Sequence, residues 1–152
     1  MNWFEAYIHC KSRGGKLVEI GSEEENTALV EEINKRRYTD KNMNFWIGLT
    51  DLRRERDWRL ASSGLKPSYE NWHSGQPNNE GGNEDCARIR IGGDDSWRDT
   101  WSDIDCGRRH MKVHLMIFTT DQFGQGIKYL IDHWNSMHAL CEFSQETDLT
   151  TT

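Results

Sequence analysis

One domain mixing helices and strands is the fold that the sequence predicts, and three observations predict it. Two apolar patterns of helical period open the chain, strand-like apolar runs follow them, and a long polar stretch rich in Gly, Asn and Ser separates the strands. The length of 152 residues favours a single domain with a sizeable core. Only 35% of residues are hydrophobic, but seven are Trp, so the core is expected to be aromatic-heavy beneath a polar surface.

Trp3, Ala6, Tyr7 and Cys10 fall at helical spacing and predict a first helix over 2–13, ended by Gly14-Gly15. Residues 16–20 read as a short extended piece. Ser22 and Glu25 form a capping box for a second helix, whose apolar face is Leu29, Val30 and Ile33. Lys35-Arg36-Arg37 places cations near its end. Residues 45–50 read as a buried strand. The irregular stretch 51–86 is long for a compact domain and marks function or disorder. Trp58, Leu60, Leu65, Tyr69 and Trp72 give it apolar anchors and argue against disorder. Residues 87–91 alternate as a strand with one buried face, and Trp97 and Trp101 lie on a turn-rich approach to Cys106. Ala139, Cys141 and Phe143 alternate again as a closing strand, and residues 145–152 form a polar tail expected to fray.

The net charge of −6 argues against binding a phosphate backbone, so no nucleic-acid partner is expected; it suits a cation site or simple solubility. No window is long and apolar enough for a membrane span. Cys10, Cys86, Cys106 and Cys141 form no Cys-x-x-Cys pair. An even number at wide spacing suggests two disulfides and an oxidising compartment, and three pairings are open. The first residues are not a signal peptide, so an extracellular location implies that the chain lacks its start.

Gln76-Pro77-Asn78, Glu84-Asp85-Cys86 and the run from Trp101 to Cys106 gather carboxylates and carboxamides around a proline and between two cysteines. Such hard oxygen donors suit Ca²⁺ and suit zinc or copper poorly. An ion held this way keeps open positions that vicinal sugar hydroxyls can fill. Asp94-Asp95, Asp99, Asp103 and Asp105 near Trp97 and Trp101 suggest paired catalytic carboxylates, as in a glycosidase cleft. A calcium-binding loop explains them without catalysis, there is no Ser-His-Asp or phosphate-loop signal, and an enzyme is not expected. His110, His114 and His133 lack paired metal-ligand spacing.

Taken together, these pieces resemble a C-type lectin-like domain over roughly residues 2–106 and 138–144. The resemblance implies an α+β fold in which two helices flank small antiparallel sheets and a long loop carries the ligand site. It implies disulfides Cys10–Cys141 and Cys86–Cys106. It maps a principal Ca²⁺ site onto Gln76, Asn78, Glu84, Ser102 and Asp103, with Pro77 cis and with Gln76, Asn78, Glu84 and Asp103 also binding sugar. An accessory Ca²⁺ site maps onto Asp51, Glu55, Asn79, Glu84 and Asp85. A solvated acidic loop partnered by Arg53, Arg54 and Arg56 is the competing reading of Asp51 and Glu55.

The implied function is calcium-dependent carbohydrate binding by an extracellular lectin domain, with an oligomer allowed. The alternative is a lectin-like domain that binds a protein, mineral or ice surface without reading sugar. The chain departs from the family pattern in three ways. Gln76-Pro77-Asn78 is neither the mannose-type Glu-Pro-Asn nor the galactose-type Gln-Pro-Asp, so the sugar stays open. Ser102 stands where Asn is usual, which implies calcium affinity near ~10⁻⁴–10⁻³ M. An insertion of about 107–137 replaces a short connection. Its residues 111–118 are strand-like, while Ile127, Leu130, Ile131 and Trp134 have helical spacing. It reads as an inserted hairpin or helix, or as translated non-coding sequence. The domain thus spans 1–144, without the family's N-terminal strand, which leaves a bare edge expected near Glu142.

Overall fold

The computed structural model describes residues 1–36, 43–93, 95–109, 116–117, 128–131 and 138–143. Helix α1 (Trp3–Ser12) begins at Asn2, whose side chain accepts from the Glu5 N–H at 2.9 Å while the Glu5 carboxylate accepts from the Asn2 N–H at 3.1 Å. This reciprocal cap satisfies two donors that a helix start otherwise leaves open. At its far end Gly14 adopts φ 76°, and the Gly14 and Gly15 N–H groups donate back to the Lys11 and Cys10 carbonyls. Strand β1 (Lys16–Leu17) follows, then α2 (Glu23–Arg36). The Ser22 hydroxyl accepts from the Glu25 N–H at 3.1 Å, but the Glu25 carboxylate accepts from Gly21 rather than from Ser22, so the expected box is displaced by one residue. Arg37, part of the expected cationic end, lies outside the described residues.

The strands β2 (Met43–Thr50), β3 (Arg59–Leu60), β4 (Cys86–Ile91), β5 (Trp101–Ile104), β6 (Met116–Ile117), β7 (Lys128–Ile131) and β8 (His138–Phe143) complete the described elements. The sheet order is β5-β4-β2-β8-β7-β6, with β1 on β8 and β3 on β2. Only the β2–β8 pairing is parallel among the described strands.

Alternation along β2 builds two cores. Phe45, Ile47 and Leu49 join Ile89 and Ile91 of β4 and Leu29, Val30 and Ile33 of α2. Trp46 points the other way and packs with Trp3, Ala6 and Cys10 of α1, and with Cys86, Ile104 and Cys141. The two helices therefore cover opposite faces of one sheet. Disulfides Cys10–Cys141 and Cys86–Cys106 stitch the second core. The aromatic-heavy core is present: Trp3, Trp46, Trp58 and Trp101 are all buried.

Three expectations change. Trp101 starts a strand rather than a turn-rich approach, because the polar Ser102 and Asp103 are buried and hydrogen-bonded there. Leu130 and Ile131 lie in β7, which pairs with β6 as a hairpin, so their helical spacing misleads. Glu142 is not at a bare edge: it pairs with Lys16 of β1 and with Tyr129 of β7. Pairing on both sides gives this strand backbone partners at Glu142. Ile127, Trp134, His110, His114, His133 and the polar tail lie outside the described residues.

Candidate functional site

The loop from His73 to Glu84 folds over the end of β5. The Gln76–Pro77 peptide is cis. Asp103, only 4% exposed, accepts from the backbone N–H groups of Asn78 at 3.0 Å and Asn79 at 2.6 Å. Bonds to a carboxylate are stronger than neutral ones, so this pair docks the loop on the strand. Asn79 then accepts from the Glu84 N–H at 2.9 Å, and the Glu84 carboxylate accepts from the Glu80 N–H at 3.0 Å. Burial pushes the Glu84 carboxyl upward, with Asp103 and Glu80 adding to it against the Glu80 N–H. The Gln76 side-chain oxygen is buried with no hydrogen-bond partner.

Asn78, Asn79, Glu84 and Asp103 are thus joined in one network. Ser102 is engaged elsewhere: its hydroxyl accepts from Arg88 Nε at 3.0 Å. Successive strand residues face opposite sides, and Ser102 stands across from Arg88 while Asp103 stands across from Ala87. Arg88 is absent from the sequence-based site, because alternation through 87–91 assigned it only to the less buried face of β4. Burial, together with the nearby Arg108 and Arg90 charges, lowers its pKa.

The second acidic group is tighter. Carboxylate oxygens of Asp51, Glu55 and Asp85 all lie within 4.8 Å of one another. The Asp51 N–H and the Thr50 hydroxyl both donate to the Asp85 carbonyl, at 3.1 and 2.7 Å, which fixes the end of β2 beside that residue. Asp51 is 2% exposed; its Oδ2 accepts from the Arg56 N–H at 2.8 Å, and its Oδ1 is buried with no partner. Burial first, then repulsion from Glu55, Asp85 and Asp103, pushes its pKa up to about 6 against the Arg56 N–H. Asp51 is thus shielded from water, whereas Glu55 is exposed. No Arg53, Arg54 or Arg56 guanidinium pairs with Asp51 or Glu55 among the described residues.

The two groups share an open cavity of ≈ 370 Å³, lined by Asp51, Glu55, Arg56, Trp58, Pro77, Asn78, Asn79 and Asp103. The donors fit a hard divalent cation. Crowded carboxylates repel, and buried oxygens without partners are costly; an ion of the calcium type relieves both.

Trp72 packs on Trp58 and Trp101 in the core, whereas His73 stacks on Trp97 at 3.8 Å. The other carboxylates have structural partners: Asp95 pairs with Arg90, Asp99 accepts from Gly92 N–H, and Asp105 accepts from Gly107 N–H and the Asn83 amide. Asp94 lies outside the described residues.

The family model described as Lectin C-type domain matches residues 1–113. A perlucin-like protein of Mytilus galloprovincialis is 38% identical over 113 residues, covering 72% of this chain and 66% of that protein. The low affinity immunoglobulin epsilon Fc receptor of Mus musculus is 37% identical over 99 residues, covering 65% of this chain and 27% of the receptor. The chain therefore spans less than two thirds of either relative. The mouse scavenger receptor C-type lectin carbohydrate-recognition domain superposes with a TM-score of 0.65 at 23% identity, covering 95% of this chain and 84% of that one. That likeness shows the fold.

Proposed function

Because the chain belongs to the C-type lectin domain family, a family of carbohydrate-binding domains rather than enzymes, we propose that it binds carbohydrate outside the cell in a calcium-dependent manner. The observation that carries this reading is the shared cavity, where Asn78 and Asp103 face Asp51 and Glu55. Gln76, Asn78, Glu84 and Asp103 are the principal calcium ligands, joined by Ser102 only when its hydroxyl is released from Arg88; Asp51, Glu55, Asn79 and Asp85 are the accessory ones. When bound, Ca²⁺ supplies coordination positions that two neighbouring sugar hydroxyls fill. The Gln76 and Asn78 amides donate to those hydroxyls, and the Glu84 and Asp103 carboxylates accept from them. Two disulfides support an extracellular setting.

The test is retention of the oxidised protein on immobilised mannose and galactose. Elution by EDTA is expected, and so is loss of retention in Glu84→Ala and Asp103→Ala with near-UV circular dichroism preserved. Retention that survives both EDTA and these substitutions would sink the proposal.

The Arg88–Ser102 bond favours a second reading, since it commits one ligand position to the protein itself. In that reading the domain binds a protein, mineral or ice surface without recognising sugar. Capture of such a surface at full strength in EDTA, with no retention on sugar, would select it.

A further inference from the structure

We propose that Arg88, Arg90 and Arg108 form an anion subsite beside the saccharide site, and that the preferred saccharide carries an acid group such as a sulfate. The inference rests on the carbohydrate-binding reading and names the class of sugar. Arg88 and Arg90 alternate on one face of β4, with Arg88 opposite Ser102 and donating to its hydroxyl at 3.0 Å. Arg108 follows the Cys86–Cys106 bridge, where its N–H donates to the Asp105 carbonyl at 3.0 Å. The charges of Arg108 and Arg90 both act on Arg88, which is a cost in a chain of net charge −6 with many acids available to separate them.

Their own partners are few. Arg90 is paired with Asp95 at 2.8 Å, although its Nε is buried with no partner. Arg88 spends Nε on Ser102 and makes no ion pair among the described residues. The Arg108 side chain, on an exposed residue, makes none either. A guanidinium fixed through Nε keeps its two terminal nitrogens as a planar fork, and that fork matches an oxyanion such as a sulfate ester or carboxylate. Glu84 offsets part of the charge around Arg88 in the free protein. Once that carboxylate serves a bound cation, the arginines are left to attract an anion.

The experiment measures competition against an immobilised sugar, with calcium present, by galactose, galactose 6-sulfate and galacturonic acid, and by N-acetylglucosamine and its 6-sulfate. At low salt, at least one anionic form is expected to bind about tenfold more tightly than its neutral parent, the size of one charge-assisted contact. The sulfate and uronate arms tell the two acid groups apart. The advantage is expected to shrink with added salt, to vanish in Arg88→Gln with Arg108→Gln, and to persist in part in Arg108→Lys. Arg108→Gln alone, at an exposed position, guards against misfolding of the Arg88 variant. Equal affinity for neutral and anionic sugars overturns the inference and leaves the carbohydrate reading standing. An arginine-dependent anionic preference that survives EDTA upholds it while removing calcium dependence. No binding of any sugar overturns both.

Discussion

Asp51 is where burial and charge conflict most openly. Its carboxyl titrates near 3.8 when unfolded and near 6 in the fold, so between those values the folded protein holds a proton that the unfolded chain releases. The stabilising contribution of this protonation is fully present below about pH 4 and is lost as pH rises through about 6. Two units correspond to at most about 3 kcal/mol, and water in the open cavity reduces this to about 1–2 kcal/mol. Ion-free protein in chelator is therefore expected to melt at a higher temperature at pH 5 than at pH 7, and Asp51→Asn should flatten that difference. Millimolar calcium should raise the melting temperature at pH 7 for the native chain and much less for the variant. Parallel pH profiles for the two proteins in chelator would refute the assignment. Residue by residue, the candidate site was legible where its residues sit in short motifs: Asn78, Glu84 and Asp103, read as candidate oxygen ligands, fall in one hydrogen-bonded network. Arg88 was not, because its role depends on a cross-strand neighbour fourteen positions away that no local pattern reveals.

At the scale of elements, β2 shows what periodicity can and cannot convey. Its apolar run marks a buried strand, but not how closely its neighbours approach. A Cβ on Gly48 would lie 2.9 Å from the Leu17 carbonyl oxygen and 2.9 Å from Glu19 Cγ. The Gly48 N–H donates to Val18 at 2.7 Å, and its carbonyl accepts from Ala61 at 2.9 Å, so backbone flanks it on both sides. Gly48→Ala is expected to cost about 1–3 kcal/mol through overpacking. Urea unfolding should show a lower midpoint at unchanged slope, whereas an unchanged midpoint would mean that the β1–β2 approach relaxes freely. Strand β5 was illegible for the opposite reason. Two of its four residues are polar, and Ser102 and Asp103 are buried only because Arg88 and the Asn78 and Asn79 N–H groups meet them. Asn26 of α2 plays a like part, accepting from Trp101 Nε1 at 3.0 Å and tying helix to strand across the first core.

Across the whole molecule, two covalent bridges divide the work of holding ends and holding the site. Cys10–Cys141 closes a separation of 131 residues and joins α1 to β8, beyond the segment that the family model matches. Cys86–Cys106 closes only 20 and joins the start of β4 to the residues just past β5. Chain entropy assigns about 5 kcal/mol to the first and about 3 kcal/mol to the second. Their effects on the site should run in reverse order. Glu84 and Asp85 immediately precede Cys86, and Ser102 and Asp103 lie within four residues of Cys106, so the short bridge sets the distance between the two segments proposed to hold calcium. Replacing Cys10 and Cys141 by serine is expected to lower the melting temperature more, while calcium affinity of the folded fraction holds. Replacing Cys86 and Cys106 is expected to lower it less and to weaken calcium binding more. Calorimetric calcium titration and thermal melts on both double variants check the two orders together. If calcium affinity followed global stability instead, the site would depend on the fold as a whole and not on its local clamp.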